Sequence, residues 1–238
     1  MAQDDILARL FPEGHDVRVE DGIATGTAPL GDATATVIGI ADATPLGVEG
    51  ALSLAGAVLT AVERGDAAPI LVVIDSGSQR MRRRDELLGL NEYLAHLAKS
   101  LRLAEARGHP TIGVIHGHSA AGAFIATALA TRMLVGVPGA NPTVMDLPSV
   151  ARVTTLPLDR LEALARDTAV FAPGLDNMVA VGAVHRVLDG DAPLAAQLAG
   201  LLAEMPDGDD RDRRGAERGG RPKAAEIAAR VVEAAREA

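Results

Sequence analysis

Hydrophobic positions along the chain fall into two patterns, and their order predicts the fold. Ile70-Leu-Val-Val-Ile74 is an unbroken apolar run closed by Asp75-Ser-Gly-Ser78. Having no alternation, it predicts a strand buried on both faces, as in parallel sheets. Thr111-Ile-Gly-Val-Ile115 and Met133-Leu-Val-Gly-Val137 predict two further short strands. Between the first and second, Leu87, Leu90, Leu94, Leu97, Leu101 and Ala104 recur at three- and four-residue spacing, which predicts one long helix over 83–107. Gly108 and Pro110 stop it. Strand, helix, strand, helix, strand across 70–137 implies right-handed crossovers and an α/β fold.

The flanks are less regular. Residues 4–11 read as a short amphipathic turn closed by Pro12. From Val17 to Ile40, β-branched residues alternate with Gly-rich turns, predicting a hairpin or meander. Thr44-Pro45 opens a helix over 47–64 with Leu52, Ala55, Leu59 and Val62 on one face. Its three glycines lower helix propensity by up to ~1 kcal/mol each but let another group come close. Residues 141–149 read as a loop with room for one helical turn, 171–177 as a loop, 157–166 as a helix with Pro at its first position, and 178–184 as a last strand. A helix over 192–205 follows. The Gly-rich, mixed-charge segment 206–222 has no apolar anchor and predicts a flexible linker, leaving 223–238 as a short helix showing Ile227 and Val231 on one side. The expected organisation is one domain over 1–205, the linker and the C-terminal helix.

The stretch from Thr111 to Ala126 carries the candidate chemistry: a strand to Ile115, a small-residue turn over 116–122, and an Ala-rich helix from Ala121 towards Arg132. Such a turn leaves backbone N–H groups unpaired at a helix start, where they suit an anion or a developing oxyanion. Gly117-His118-Ser119-Ala120-Ala121 nearly matches the G-x-S-x-G nucleophile elbow, with Ala in the last position. It also approaches a phosphate loop but lacks the G-K-[ST] ending. Ser119 as the nucleophile of a hydrolase therefore remains an alternative to a backbone-amide site. His116 and His118 are candidate acids, bases or donors, or simply structural histidines. In Arg80-Met-Arg-Arg-Arg-Asp-Glu86, four Arg stand where a strand end meets a helix start, the wrong charge for a helix N-terminus. They suit phosphates or carboxylates, or form a solvated face paired with Asp85 and Glu86.

Composition narrows the classes. At 48% hydrophobic and 2% aromatic, the chain has an aliphatic core and little material for stacking nucleobases. A net charge of −9 would repel a polyanion; residues 206–238 balance, so the surplus lies in the preceding part. With no Cys there is no disulfide framework or thiol chemistry, and no metal-spaced cluster of His and carboxylates is evident. No apolar run reaches the length of a membrane span and the N-terminus has no signal pattern, so a cytoplasmic protein is expected.

Several blocks carry a family resemblance. Ile74-Asp-Ser-Gly-Ser-Gln-Arg-Met-Arg-Arg-Arg-Asp-Glu-Leu-Leu-Gly-Leu-Asn-Glu-Tyr-Leu-Ala-His96, Gly117-His-Ser-Ala-Ala-Gly-Ala-Phe124, Val144-Met-Asp-Leu-Pro-Ser149 and Phe171-Ala-Pro-Gly-Leu-Asp-Asn177 together resemble the gamma subunit of biotin-independent malonate decarboxylase, over about residues 15–205. The resemblance implies a crotonase-like fold of repeated ββα units. It implies a homologous beta subunit as partner, supplying the other wall of the active site. The substrate would be a malonyl thioester on an acyl-carrier subunit with a CoA-derived arm; no biotin, nucleic acid or membrane enters. Matching by motif, an oxyanion hole would use backbone amides among Ser119, Ala120, Ala121 and Gly122, beside Gly117 and His118. Where relatives have consecutive Gly, this chain has Ala120 and Ala121. Arg80, Arg82 and Arg83 would meet the phosphates of the arm or the acidic carrier. A non-catalytic scaffold subunit is the second alternative.

Overall fold

The apolar run at 70–74 lies at the centre of the molecule. A computed structural model describes residues 2–169 and 173–237. In it, β4 (Ile70–Ser76) pairs in parallel with β3 (Ala33–Ile40) on one side and β5 (Thr111–Ala120) on the other. The sheet runs β1 (Asp16–Glu20), β2 (Ile23–Leu30), β3, β4, β5, β6 (Met133–Gly136), β8 (Arg186–Val187), with β7 (Asn141–Thr143) also paired to β5. Strands β1 to β3 form the antiparallel meander predicted from 17–40.

Both faces of the sheet are covered, which is why the central strands need no alternation. Ile70, Val72 and Ile74 pack under α2 (Val48–Arg64) and α4 (Leu90–Ala106), whereas Leu71 and Val73 face α1 (Gln3–Leu10) and α9 (Leu194–Ala203). The first segment, 4–11, is thus more than a turn. Its Ile6, Leu7 and Leu10, with Phe11, are all buried against the second face. The face buried by α2 is Ala51, Leu54, Ala55, Val58 and Ala61, one residue round from the expected stripe, and Leu52 is exposed. Small Ala side chains at 51, 55 and 61 let α2 sit close to the sheet, with Leu54 and Val58 filling the contact between them.

Four expectations differ in detail. The helix expected over 83–107 is two, α3 (Arg83–Leu87) and α4, broken at Gly89 with φ 81°. The break turns Leu87 out into solvent, although its spacing placed it on the buried stripe. Strand β5 continues to Ala120, because β7 pairs with His118, Ser119 and Ala120 where a turn and a loop were expected. The helix that follows, α5 (Ala121–Ala126), ends early: Thr127 donates its hydroxyl to Ala123 O at 2.6 Å, and a single 3-10 turn (Ala128–Ala130) completes the segment. The strand expected over 178–184 is replaced by α8 (Leu175–Ala180), and the last strand is β8, parallel to β6. The loop expected at 171–177 falls partly outside the described residues, and its end opens α8. Helices α6 (Leu147–Thr154) and α7 (Leu158–Asp167) form an outlying pair.

The segment 206–222, expected as a flexible linker, holds α10 (Arg211–Glu217) clasped to the body. Its anchors are polar, so hydropathy did not mark them. Arg211 donates to Leu129 O at 2.8 Å, and Arg218 donates to the carbonyls of Val179, Val184 and His185 at 2.7 to 2.9 Å. The backbones meet directly: a Cβ on Gly182 would lie 2.1 Å from Arg211 O, and Gly182 has φ 85°. The last helix, α11 (Ala224–Glu237), buries none of its side chains in this chain.

Under the clasp, His185 is buried, its Nδ1 accepting from Leu134 N–H at 3.3 Å and its Nε2 lying 3.4 Å from Asp210 Oδ1. Burial first, and the nearby Arg214 charge second, push its pKa down from 6.5 to about 4, against the pull of Asp210. The unfolded chain therefore takes up this proton at a higher pH than the folded one. Stability from His185 is full near pH 7 and is lost as pH falls towards 4. We expect the unfolding free energy of the wild type to drop by about 2 kcal/mol more between pH 7 and pH 5 than that of His185→Gln, read from urea denaturation at both pH values.

Candidate active site at the carboxyl edge of the sheet

Strands β3 to β6 all point their carboxyl ends to one edge, the usual place for a site in a parallel sheet. At that edge the pairing of β4 with β5 shifts register. Ile74 opposes Ile115, but Ser76 opposes Ser119, so His116, Gly117 and His118 form a bulge. The carboxylate of Asp75 holds it, Oδ1 accepting from His118 N–H at 2.8 Å. A Cβ on Gly117 would stand 2.3 Å from that same carboxylate, so only Gly allows the contact. The bulge puts the His118 side chain in solvent. His116 is turned inward, its Nε2 3.0 Å from Gln3 Oε1 of α1.

Ser119 is fully buried between Ser76 and Pro142 of the neighbouring strands, and its Oγ makes no hydrogen bond. Neither imidazole is therefore placed to take its proton, and a Ser–His nucleophile is not assembled. Beyond it, Ala120 is extended with φ −130° and Ala121 adopts φ 51°. An Ala in the left-handed region is strained by about 1–2 kcal/mol. Non-Gly residues held there cluster at functional sites. The strained residue sends the Gly122 N–H onto the side chain of Gln79, whose Oε1 accepts it at 2.8 Å. Of the four amides expected to form a hole, Gly122 is thus already committed to a carboxamide oxygen.

Sequence reasoning singled out neither Gln79 nor Asp75, although both lie in the block 74–96 that carried the resemblance. Gln79 is placed by its backbone, which bridges to Leu46; Leu46 N–H donates to Ser78 O at 2.8 Å and Arg80 N–H to Leu46 O at 2.7 Å.

The arginines lie elsewhere on the same edge. Arg80 and Arg82, with Arg84 and Arg18 of β1, line a cleft of about 810 Å³ whose other walls include Glu20, Asp21 and Glu49. Arg83 is exposed and lines none of it, and residues 117–122 do not reach it. Arg84 is paired with Glu49; hydrogen bonding between the two raises the pKa of the guanidinium and lowers that of the carboxylate. Arg80 and Arg82 have no ion pair among the described residues. The charge paradox of this segment is resolved by Asp85, which is buried and accepts from Val48 N–H at 3.0 Å, capping α2 across 37 residues where Gly47 offers no side chain. Among the described residues, no group of three His or carboxylate side chains is arranged to hold a metal ion, and no helix is long and apolar enough to cross a membrane.

The layered sheet has the crotonase-like fold of the carboxyltransferases. Transcarboxylase 12S shares the fold at a TM-score of 0.69 over 84% of this chain and 40% of its own, with 17% identity. Within that class the chain belongs to the malonate decarboxylase gamma subunit family, whose sequence model matches residues 41–235. The match runs through α10 and α11, which the sequence comparison by blocks had placed outside. A Pseudomonas malonate decarboxylase hetero-tetramer in complex with coenzyme A contains a chain similar at 26% identity and TM-score 0.77, covering 98% of this chain and 97% of that one. The Pseudomonas MdcD-MdcE hetero-dimer gives 25% and 0.76, covering 96% of each chain. The malonyl-S-ACP:biotin-protein carboxyltransferase MADD of Malonomonas rubra is 30% identical over 196 residues, which are 73% of this chain and 66% of that protein.

The strain at Ala121 is testable apart from any activity. Ala121→Gly should leave stability within about 1 kcal/mol of wild type, because relief of strain offsets the freer unfolded backbone. Ala121→Val, β-branched at positive φ, should lose more than about 1 kcal/mol. Chemical denaturation of the three proteins reads the difference, and equal losses for both variants would show that φ at 121 is not the constraint.

Proposed function

We propose that this chain is one half of a malonyl-thioester decarboxylase. Its partner is a homologous beta subunit, and the malonyl group arrives on an acyl-carrier subunit through a CoA-derived arm. The observation that carries the reading is the strained, half-buried turn at Ala120, Ala121 and Gly122. Exposed Ile125, Val144 and Met145 come from the elements that frame it, α5 and the end of β7. An amide site with an apolar surround suits a second protein wall that excludes water. The hetero-dimeric and hetero-tetrameric Pseudomonas assemblies support the partner, and the Malonomonas relative supports a carrier-bound malonyl thioester.

The chemistry asks for little from side chains. The bond between the α-carbon and the carboxylate breaks, CO₂ leaves, and the electron pair moves to the thioester oxygen as an enolate. Donors at the 119–122 turn hold that oxygen, and a proton taken at the α-carbon gives the acetyl thioester. One such donor is worth ~3 kcal/mol in the barrier. The unpaired guanidiniums of Arg80 and Arg82 fit an anionic group of the arm or of the carrier; Arg83, outside their cleft, would act only through the acidic carrier surface. No biotin takes part, since carbon dioxide is released rather than transferred.

Co-expression with the beta and carrier subunits, followed by a malonate-dependent CO₂ assay, tests the reading directly. In that complex Ser119→Ala should keep turnover within about threefold. It should also hold or raise stability by up to ~1 kcal/mol, since the lost hydroxyl is buried and unpaired. A near-total loss of turnover would instead support a hydrolase nucleophile. Reversing Arg80 and Arg82 to Glu should weaken carrier binding and flatten its salt dependence; an unchanged affinity would remove both from the carrier contact.

A further inference from the structure

We propose that Gln79 is a catalytic residue of this site, and that its side-chain Nε2 donates a hydrogen bond to the thioester oxygen as the enolate forms. The inference rests on the decarboxylase reading and adds the identity of a donor. Gly122 N–H is a donor only, so the group facing it at 2.8 Å must be the carboxamide oxygen. That fixes the flip of the carboxamide and turns its two N–H bonds away from Gly122. Their contact in this chain is Met81 Sδ at 3.7 Å, a weak acceptor on a side chain 75% exposed and free to move aside.

The carboxamide is held from both ends. Its backbone is tied to the segment before α2 through Leu46, and its oxygen is tied to the turn through Gly122. A Cβ on Gly122 would lie 3.2 Å from Oε1 and 3.2 Å from Leu94 Cδ1, so a residue without a side chain lets Gln79 come close. A donor fixed in this way needs no reorganisation at the moment of reaction, the property that makes oxyanion donors effective. The bond from Gly122 also draws electron density onto Oε1, which makes the Nε2–H a stronger donor. Nearby at the end of β5, Ser119 Oγ is fully buried with no hydrogen-bond partner. No bond to Gln79 forms or breaks in the step: the electron pair released with CO₂ goes to the thioester oxygen, and Nε2 only shares its hydrogen with it.

Two variants in the co-expressed complex separate this role from that of a structural cap. Gln79→Glu keeps an oxygen for Gly122 but, ionised, has no hydrogen to donate. Gln79→Met keeps the volume and has neither group. We expect both to lose about 10²-fold in kcat for malonate-dependent CO₂ release, with KM within about threefold, while Gln79→Glu keeps the wild-type Tm and assembly. Wild-type kcat in Gln79→Glu would overturn the proposal in favour of a cap. A Gln79→Met protein as fast as wild type, or faster, would overturn it by showing that the side chain merely fills the place of the substrate oxygen. A loss confined to KM would assign the Glu effect to charge repulsion and also overturn it. If the wild-type complex released no CO₂ from malonate, the decarboxylase reading itself would fail, an outcome separate from all of these.

Discussion

One residue of β4, Asp75, stands where three of β5, His116, Gly117 and His118, pass between the pairs Ile74–Ile115 and Ser76–Ser119. The site depends on that mismatch. In a regular parallel ladder, β5 would carry its side chains straight through the edge and leave no strained turn. The surplus residues have to go somewhere, and the Asp75 carboxylate decides where by taking His118 N–H. The chain re-enters the sheet at Ser119, is held by β7, and turns within two residues into α5 through a left-handed Ala121. Bulges next to active sites commonly re-aim a few residues in this way. One carboxylate thus fixes the amide at 118, and the Gln79 carboxamide fixes the amide at 122.

Much of this was legible in the chain. Unbroken aliphatic runs at 70–74 and 111–115 can be buried on both faces only in a covered sheet, and that placed the layers and the carboxyl edge. What periodicity could not report was geometry carried by single residues. The Leu spacing runs unbroken from Leu87 to Leu101, yet Gly89 at φ 81° divides the helix and turns Leu87 outward. The clasp over 206–222 is made by guanidiniums on backbone carbonyls and by backbone-to-backbone contact at Gly182, neither of which has an apolar signature. For the candidate site, the small residues of 117–122 marked where the chain passes from β5 to α5, although 118–120 are strand rather than turn. Asp75 and Gln79, which fix it, are 43 residues distant in sequence and become visible only when β4 and β5 are side by side.

The arginine segment shows the same division between local and tertiary information. Read alone, four cations at a helix start contradict the helix dipole. The structure removes the contradiction by using Asp85 of the same segment to cap α2, while Arg84 pairs with Glu49 of the first turn of α2. Each arginine then has a distinct situation: Arg84 is neutralised, Arg83 is in solvent, and Arg80 and Arg82 keep their charge available in a cleft. A charge run that looked like one feature is three, and only one of them has the properties of an anion site.

A chain that builds half of a site, as proposed for this one, faces a particular physical problem, because polar groups meant for a ligand are unsatisfied until it arrives. Here the answer differs by depth. The deep hydroxyl of Ser119 stays without a partner, a tolerable cost of about 1–3 kcal/mol for one buried group. The shallower Gly122 amide is satisfied from within by Gln79. That choice is not neutral for chemistry, because a carboxamide that accepts on one side must present its hydrogens on the other. In the proposed reaction, satisfying the amide internally makes the Gln79 carboxamide, rather than the Gly122 N–H, the donor.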